Sequence, residues 1–539
     1  MKYIFVSGGV ISGIGKGIAS ASISLLLKSA GFKVVPLKMD PYLNVDAGTM
    51  NPVEHGEVFV LDDGAETDQD LGHYERFLGE SLNKNSIATQ GSIYLSVLQR
   101  ERNLEYDGEC VDVVTHITEE ILGRIEAAGR SKNAEIVLIE IGGTTGEYQN
   151  VLFLEANRLL KLKKPNDVIH IHLTYLPIPP SIGEMKSKPA QMSIRDLNAT
   201  GIQPDIILAR AEYPLDKPRI KKLAISTGLE EVDIISAPDV QNVYEVPLNF
   251  EEGNLTARIL KKLKLKKRNK DLKGWREFVK SANTVQTPVK IGIVGKYFAT
   301  GSFTLADAYI SVIEAIKHAS YHQGLKPEVT WINSGKLLED ISQLKNYQGI
   351  IVPGGFGSRD IEGKIEAIKY CRENKIPYFG LCYGMQLAVV EYARNVLGME
   401  KANTTEVDPK TKYPVIHVMP DQAKKLLVKD YGGTMRLGAW ECALKPGTLA
   451  KKLYGKTKIS ERHRHRYEFN NEFMERFLTN GLKVAGTSPD GHLVEMIEIS
   501  GHPFFIGTQF HPELKSRPLT PHPLFLGFIK AASKINLGA

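Results

Sequence analysis

The sequence predicts an α/β fold made of two doubly wound domains. Apolar runs alternate with helical stretches in the first half of the chain, and this alternation stops near residue 261 and begins again near residue 289. At 539 residues the chain is also much longer than a single domain of roughly 100–200 residues. Two domains, each with its own sheet, account for both observations.

The first half contains six apolar runs that we predict to be strands. Continuous apolar strands separated by helical stretches are typical of a parallel sheet that is covered on both faces. The predicted strands are 2–7, 33–38, 134–141, 167–174, 204–210 and 232–237. We therefore place the first domain at residues 1–266.

A basic and polar stretch follows, and we interpret residues 267–288 as a linker with some helix around Trp275. A second alternation then predicts an independent α/β domain over residues 289–539. Its predicted strands are 289–295, 349–355, 376–381, 482–488 and 504–510.

Composition excludes several functional classes. The formal net charge is +6, but much of it lies in one basic run at residues 261–270. The charge therefore does not indicate nucleic-acid binding. The four cysteines are widely spaced without a CxxC pair, which argues against a disulfide framework or a zinc site and favours a reducing compartment. No signal peptide and no run of about 20 apolar residues is present, so we expect a cytoplasmic protein without membrane contact.

Residues 7–17 form a glycine-rich loop between the first strand and the first helix. Glycines let the backbone approach an anion, the helix N-terminus offers free N–H groups, and Lys16 adds a positive charge. The match to GxxxxGK[ST] is imperfect, because Val10 replaces the first glycine and Gly17 replaces the hydroxyl residue. A glycine-rich tight turn of any doubly wound fold is the alternative, but strand, glycines, lysine and helix in this order predict nucleotide binding.

A nucleotide triphosphate needs a hard cation, and the usual loop hydroxyl is missing. Carboxylates elsewhere should then hold Mg²⁺. Asp68 and Asp70 are candidates, and Glu140 is the better one, because it ends an otherwise apolar strand at the sheet edge where such folds bind ligands. A surface acid is the alternative for each.

Three motifs at predicted strand ends indicate glutamine hydrolysis. Cys382 lies in Gly-Leu-Cys-Tyr-Gly between a strand and a helix, the setting of a strained nucleophile elbow, although a buried structural cysteine is the alternative. His511 and Glu513 would complete a Cys-His-Glu triad, and backbone N–H groups of the loop 353–357 would form an oxyanion hole. Each motif alone is weak evidence, but together, in this order, they are strong.

At this point the chain resembles the CTP synthase family nearly end to end. The motifs that it shares are GGVISGIGKG, LKMDPYLNVDAGTMNP, EHGEVFVLDDGAETDQDLGHYERF, IEIGGTTGE, VPGGFGSRDIEGK, GLCYGMQ, GGTMRLGAWEC, ERHRHRYE and QFHPE. The resemblance implies a P-loop-type, dethiobiotin-synthetase-like ligase domain joined to a class I glutamine amidotransferase domain. ATP would phosphorylate O4 of UTP, and ammonia would displace the phosphate. GTP would activate glutamine hydrolysis, CTP would inhibit as product, and the protein would be a homotetramer that sometimes forms filaments.

The resemblance also implies site residues, matched motif by motif. Glutamine would contact Gly355, Tyr383, Gly384, Met385, Gln386, Glu406 and Arg466. ATP would contact Gly13, Ile14, Gly15, Lys16, Gly17, Ile18, Lys38, Asp70, Asp239 and Val240. UTP or CTP would contact Ser12, Glu147, Tyr148, Gln149, Lys186, Ser187, Lys188, Pro189, Ala190, Gln191 and Lys222. Asp70 and Glu140 would hold Mg²⁺.

The chain departs from the family pattern at three places. The family's usual GTVGDIES is GTTGEYQN at residues 143–150, and its KTKPTQ is KSKPAQ at residues 186–191. Both lie in the pyrimidine-nucleotide region, so we expect CTP inhibition to change more than catalysis. The leucine that usually follows the nucleophile is Tyr383, which contributes mainly backbone, so we expect activity to survive.

Ammonia must also pass between two sites that lie in different domains. Free ammonia is mostly ammonium at neutral pH, which is not a nucleophile, so we expect a protected passage. His55 is our candidate for a residue that lines the ligase end of this passage, and a satisfied core histidine is the alternative. Val58 is our candidate for a position where a bulkier side chain would block the passage.

Two other functions fit part of the sequence. A glutamine-dependent corrinoid amidase would share the chemistry, but the lysines at 186–188 and the run EHGEVFVLDDGAETD argue against it. A partition-type ATPase acting as a scaffold would have no use for the nucleophile elbow and the distant His-Pro-Glu.

Overall fold

The computed structural model describes residues 1–539 except 267, 269–270, 296–298, 301–302, 305, 420–421, 423–432 and 538–539. The chain divides into two compact units. Unit 1 comprises Met1–Asp46 and His73–Val279, and unit 2 comprises Ala47–Gly72 and Lys280–Ala539. The domain limits drawn from the sequence stay a prediction, and the grouping of residues 47–72 with the C-terminal unit is new information.

The strands are numbered in chain order. They are β1 (Lys2–Gly8), β2 (Val34–Asp40), β3 (Phe59–Val60), β4 (Glu66–Thr67), β5 (Ile87–Thr89), β6 (Ile136–Ile141), β7 (Val168–Tyr175), β8 (Ile206–Ala211), β9 (Ile234–Pro238), β10 (Pro288–Gly295), β11 (Ala299–Thr300), β12 (Phe303–Thr304), β13 (Lys326–Asn333), β14 (Gly349–Val352), β15 (Tyr378–Leu381), β16 (Ala402–Thr404), β17 (Tyr413–Val418), β18 (Arg436–Leu444), β19 (Lys458–His465), β20 (Tyr467–Phe469), β21 (Leu482–Thr487), β22 (Val494–Ile499) and β23 (Phe505–Thr508).

The α-helices of the described residues follow the same convention. They are α1 (Lys16–Ser29), α2 (Pro52–His55), α3 (Gln69–Leu78), α4 (Gln90–Arg102), α5 (Thr118–Ser131), α6 (Val151–Lys163), α7 (Lys188–Ala199), α8 (Lys217–Thr227), α9 (Val246–Glu252), α10 (Leu255–Lys262), α11 (Lys273–Thr284), α12 (Ile310–His322), α13 (Ile361–Glu373), α14 (Tyr383–Asn395), α15 (Leu449–Tyr454), α16 (Met474–Thr479) and α17 (Pro523–Ala532).

Unit 1 is built on a seven-stranded sheet in the order β5-β2-β6-β1-β7-β8-β9. Every pair of neighbours is parallel. Strands β2 and β6 are buried along their whole length, which agrees with their mainly apolar sequence. The six strands predicted in this half are confirmed. Strand β5 was not predicted, because a run of three residues is too short to indicate a strand.

The helix predicted around Trp275 is confirmed as α11, and its apolar face belongs to the core of unit 1. Trp275 is buried, and its indole Nε1 donates a hydrogen bond to the Tyr244 carbonyl at 2.9 Å. Its ring lies 5.0 Å from that of Phe77. The part of the predicted linker around Trp275 is therefore packed within the first unit.

Unit 2 contains a nine-stranded mixed sheet in the order β13-β10-β14-β15-β23-β22-β21-β18-β19. The pairs from β13 to β23 are parallel, and the pairs from β23 to β19 are antiparallel. The five strands predicted for this half are confirmed. Strands β13, β18, β19 and β22 were not predicted, because charged or aromatic residues interrupt the apolar run in each of them.

Candidate functional site

Cys382 stands at a sharp turn between β15 and α14. Its backbone has φ 49° and ψ −98°, a left-handed conformation that non-glycine residues rarely adopt and that functional sites often hold. A Cβ atom on Gly384 would lie 2.1 Å from the Val352 carbonyl oxygen, and one on Gly380 would lie 2.8 Å from the carbonyl carbon of Gly384. The turn therefore requires glycine at both positions, as a nucleophile elbow does.

His511 and Glu513 follow β23, the parallel neighbour of β15, so both arrive at the strand end that precedes Cys382. His511 Nδ1 lies 2.7 Å from Glu513 Oε1, and both side chains line one cavity with Cys382. Burial alone lowers the pKa of His511, but the neighbouring Glu513 carboxylate and the Cys382 side chain outweigh it and raise this pKa to about 10. The imidazole is then protonated at neutral pH.

The loop 353–357 follows β14 and packs against the histidine. A Cβ atom on Gly354 would lie 2.9 Å from His511 Cε1, so only glycine allows this approach. The Gly354 carbonyl accepts a hydrogen bond from the Tyr309 hydroxyl at 3.3 Å. Gly354, Gly355 and Phe356 of the loop line the same cavity as Cys382, so their backbone N–H groups are placed where they can face a developing oxyanion.

A cleft of about 1230 Å³ opens beside Cys382 and brings together several residues expected to bind glutamine. Four of the residues expected to bind glutamine line this cleft: Gly355, Gln386, Glu406 and Arg466. Arg466 is held by hydrogen bonds from Nη1 to Gln422 Oε1 at 2.8 Å and from Nη2 to Thr434 Oγ1 at 3.0 Å. A carboxylate and a guanidinium in one cleft fit an α-amino acid, which has one charge of each sign.

The remaining residues expected at glutamine are Tyr383, Gly384 and Met385, and they form the buried first turn of α14. Arg464 also lines the cleft, although the sequence analysis did not select it. It lies two residues before Arg466 in the run Arg-His-Arg-His-Arg, and that alternation was the available signal.

The cavity that the triad residues line has a volume of about 700 Å³ and shares Gly355, Cys382 and Arg464 with this cleft. Its lining includes Glu57 and Val58 from the segment 47–72 of unit 2. Val58 therefore lies where the expected passage for ammonia would begin, whereas His55 is not among the residues that line this cavity.

The phosphate loop of unit 1 has the strained backbone that an anion cradle requires. Val10, Gly13 and Gly15 have φ values of 89°, 75° and 90°, and Gly15 is the N-cap of α1. Lys16 Nζ donates a hydrogen bond to the Gly143 carbonyl at 2.7 Å. Ser20, the substitute considered for the missing hydroxyl, is fully buried within α1.

A cleft of about 620 Å³ lies beside this loop. The residues expected at ATP that line it are Ile14, Gly15, Ile18, Asp239 and Val240. Arg210 lines it as well, with Nε donating to Asp239 Oδ1 at 2.8 Å and Nη1 donating to the Gly13 carbonyl at 3.4 Å. The sequence analysis missed Arg210, because a charged residue at the end of a strand has no motif around it.

Lys38 and Glu140 are opposite one another on neighbouring strands. Lys38 Nζ lies 3.5 Å from Glu140 Oε1 and 3.3 Å from Asp40 Oδ1, and the Tyr74 hydroxyl donates to Glu140. Glu140, one of the two expected magnesium ligands, is a buried carboxylate at the carboxyl edge of the sheet, an oxygen donor of the type that Mg²⁺ prefers. Asp40, which the sequence analysis did not select, is a second buried carboxylate close to the same lysine.

Asp70, the other expected magnesium ligand, belongs to unit 2, and its backbone N–H donates to Asp68 Oδ1 at 3.1 Å. Among the described residues no group of three or more His, Cys, Asp and Glu side chains is arranged as a metal site. The pairing of Asp70 with Glu140 around Mg²⁺ stays a prediction.

The residues expected at the pyrimidine nucleotide form two groups in unit 1. Lys186 Nζ and Arg219 Nη2 lie 2.8 Å and 3.1 Å from the Glu184 carboxylate. Hydrogen bonding to Lys186 and the charge of Lys222 lower the pKa of Glu184. Ser187, Lys188, Pro189, Ala190 and Gln191 form the N-cap and first turn of α7.

The second group is the exposed turn 147–149. Glu147 lies close to the phosphate loop, since a Cβ atom on Gly143 would be 2.8 Å from Glu147 Oε2 and Gly143 accepts from Lys16. The Tyr148 side chain is 97% exposed, and Ser12 is exposed in the loop itself. The assignment of both groups to UTP or CTP stays a prediction.

These two units define a class of protein: a phosphate-loop ligase fused to a cysteine-dependent glutamine amidotransferase. Comparison with known families agrees with this class. The family model described as CTP synthase N-terminus matches residues 2–265, and the model described as glutamine amidotransferase class-I matches residues 304–531. The chain belongs to the CTP synthase family, whose members are glutamine-hydrolysing ligases.

Individual relatives are similar along almost the whole chain. The CTP synthase of Clostridium acetobutylicum is 50% identical over 538 residues, and that of Staphylococcus aureus is 48% identical over 538 residues, with 99% of both chains covered in each case. A solved structure, the glutaminase domain of Trypanosoma brucei CTPS with bound acivicin, is 34% identical and covers 46% of this chain and 95% of its own, with a TM-score of 0.42. In the described part of the chain no helix is long and apolar enough to cross a membrane.

Proposed function

We propose that this chain makes CTP from UTP, using ATP to activate the pyrimidine and glutamine to supply ammonia. The observation that supports the proposal most directly is the arrangement of Cys382, His511 and Glu513 around one cavity, in a chain whose other unit has a phosphate loop and a cleft beside it. Family membership supports the choice of substrates, and the geometry supports the proposed roles of the residues.

Glutamine hydrolysis begins with the Cys382 thiolate. It attacks the side-chain amide carbon of glutamine, an S–C bond forms, and the carbonyl oxygen becomes an oxyanion facing the loop 353–357. The His511 imidazolium gives its proton to the leaving nitrogen, which departs as ammonia. The neutral imidazole, oriented by Glu513, then takes a proton from the water that hydrolyses the thioester to glutamate.

In unit 1 the loop backbone and Lys16 would hold the ATP phosphates, while the cleft with Ile18, Asp239 and Val240 would take the adenine. Mg²⁺ held by Glu140 and Asp70 would neutralise the transferring phosphoryl group. Lys38, close to Glu140, would contact the same phosphates. Phosphorylation makes O4 of UTP a leaving group, and ammonia then replaces it at C4.

Regulation and assembly are further parts of the proposal and rest on the family resemblance. GTP would activate glutamine hydrolysis, CTP would compete as product, and the protein would be a cytoplasmic homotetramer able to form filaments. The four cysteines are free thiols, which is compatible with a reducing compartment.

The test separates the two half-reactions. The variant Cys382→Ala should lose glutamine-dependent CTP synthesis and keep synthesis from ammonium chloride at high pH, because only the nucleophile is removed. Lys16→Ala should lose both, since the phosphate charge is no longer neutralised. Glutaminase activity that persists in Cys382→Ala, or ammonia-dependent synthesis that persists in Lys16→Ala, would contradict the assigned roles.

A further inference from the structure

The side chain of Tyr383, the residue after the nucleophile, spans from the elbow to the loop 353–357. Its hydroxyl donates a hydrogen bond to the Gly357 carbonyl at 2.8 Å, and the side chain is only 1% exposed. The sequence analysis placed this residue at the glutamine site and expected it to contribute mainly backbone. The structure therefore shows a contact that its sequence position did not indicate.

The same glycine is held from its other side. The Gly357 N–H donates to Glu406 Oε1 at 2.7 Å, so both polar backbone groups of this residue are bonded to buried or partly buried side chains. Gly357 has φ 78°, a left-handed conformation that allows the loop to turn sharply here. The end of the loop is thus fixed between Tyr383 and Glu406.

The phenol ring is itself fixed in place. Lys364 on α13 is fully buried, and its Nζ lies 5.4 Å from the centre of the Tyr383 ring, within the range of a cation–π contact. Tyr383 also begins α14, so its backbone has the geometry of the elbow. One residue therefore joins the nucleophile turn and the loop rigidly.

We infer that Tyr383 is a positioning residue for glutamine hydrolysis: its hydroxyl holds the loop 353–357 at a fixed distance from Cys382, so that the backbone oxyanion donors of the loop stay aligned with the nucleophile. Such donors act only when they are aimed at the oxyanion, and small displacements reduce their effect. This inference rests on the proposed glutamine hydrolysis and adds a residue to it.

Leucine, which the family usually has at this position, lacks the hydroxyl and is too short to reach Gly357. Phenylalanine keeps the ring and its packing and removes only the hydroxyl. Tyr383→Phe therefore isolates the hydrogen bond, and Tyr383→Leu serves as a second variant. Tyr392→Phe is a matched control, because its hydroxyl also donates from α14 to a backbone carbonyl, that of Asn480, away from the loop.

Two measurements distinguish positioning from a general loss of structure. The first is the kcat and KM of glutamine hydrolysis. The second is inhibition by the γ-aldehyde of glutamate, whose carbonyl accepts the Cys382 sulfur to form a tetrahedral adduct. In that addition the S–C bond forms, the carbonyl π bond breaks, and the oxygen takes the oxyanion position without any leaving group.

In Tyr383→Phe we expect kcat to fall about three- to tenfold, the range that one neutral hydrogen bond supports, while the glutamine KM changes less than twofold. Aldehyde inhibition should weaken by a similar factor, and Tyr383→Leu should show the same pattern. Tyr392→Phe should match the parent protein in both measurements.

Unchanged kcat and aldehyde inhibition in Tyr383→Phe would overturn the inference, and so would equal losses in Tyr392→Phe. If Tyr383→Phe fails to fold, the pattern of Tyr383→Leu decides. If the parent protein itself hydrolyses no glutamine, the proposed function fails, which is a different outcome from a Tyr383→Phe variant that hydrolyses glutamine as fast as an active parent.

Discussion

Arg464 donates through Nε to Glu66 Oε1 at 2.7 Å, although 398 residues separate the two in sequence. Arg462, two residues earlier on β19, donates in the same way to Asp62 at 2.7 Å. Alternate residues of a strand point to the same face, so both arginines reach the segment 47–72 from one side. The same segment provides Glu57 and Val58 to the cavity beside Cys382.

Removal of the Glu66 carboxylate should disturb the glutamine site, because Arg464 lines the cleft. In Glu66→Ala we expect a loss of about 1.5–3 kcal/mol of stability, the value of a hydrogen bond to a charged group, and a larger loss of glutamine-dependent than of ammonia-dependent CTP synthesis. Thermal unfolding and the two activities measure this. Glu105→Ala, which breaks an exposed pair with Arg100, is the control and should change neither. Equal effects of the two variants would argue against the role of Glu66.

In the proposed mechanism the protonated His511 imidazole gives its proton to the leaving nitrogen of glutamine. Because the pKa of His511 is raised to about 10, we expect the rate of glutamine hydrolysis to fall as the pH rises through that value. In Glu513→Gln the neighbouring carboxylate that raises this pKa is gone, and the alkaline limb should move to lower pH, with a lower maximum rate. Glutamate release, rather than CTP formation, is the measurement, because free ammonia also increases with pH. An alkaline limb that stays in place would show that Glu513 does not control the protonation of His511.

A buried hydrogen-bond chain joins the phosphate loop to α7. Ser7 Oγ lies 2.9 Å from His172 Nδ1, and His172 Nε2 lies 2.7 Å from Ser193 Oγ. Burial, and then the charge of Lys16, lower the pKa of His172 to about 3, so the ring is neutral at working pH.

Ser193→Ala removes the partner of that ring nitrogen, which costs about 1–3 kcal/mol when the nitrogen stays buried. Because α7 begins with Lys188, we expect the KM for UTP to rise several-fold while glutamine hydrolysis is unchanged. Steady-state kinetics with each substrate varied measure this. Ser226→Ala, whose hydroxyl bonds only to a carbonyl of its own helix α8, is the control. A change in melting temperature without a change in the KM for UTP would mean that this series of hydrogen bonds has a structural role only.

The turn 147–149 gives a prediction about product inhibition. The resembled family has two acids here, and this chain has Glu147 and the neutral, exposed Gln149. A charged hydrogen bond is worth about 1 kcal/mol more than a neutral one, so CTP should inhibit about fivefold more tightly in Gln149→Glu than in the parent, with little change in the UTP requirement. Inhibition curves at fixed UTP test this. Equal or weaker inhibition in the variant would show that Tyr148 or another group compensates.

The sequence predicted those parts of the molecule that depend on local pattern. The strands that it predicted are continuous apolar runs, and the triad residues lie in short motifs at strand ends. It missed β5, β13, β18, β19 and β22 of the two large sheets, Arg210 and Arg464, as well as the grouping of residues 47–72 with the C-terminal unit. This grouping includes ion pairs between residues far apart in sequence, such as Arg462 with Asp62, and such pairs leave no periodicity in the segment 47–72.

Unit 2 is formed by two separate segments of the chain, and this limits how the protein can be divided into fragments. Its two pieces, Ala47–Gly72 and Lys280–Ala539, lie on either side of most of unit 1 in the chain. No single cleavage point separates the units, and a C-terminal fragment that begins near residue 280 would leave Arg462 and Arg464 without the carboxylates that pair with them here. An exchange of glutaminase modules between relatives must therefore transplant both pieces together, because Asp62 and Glu66 have to match the arginines that they meet.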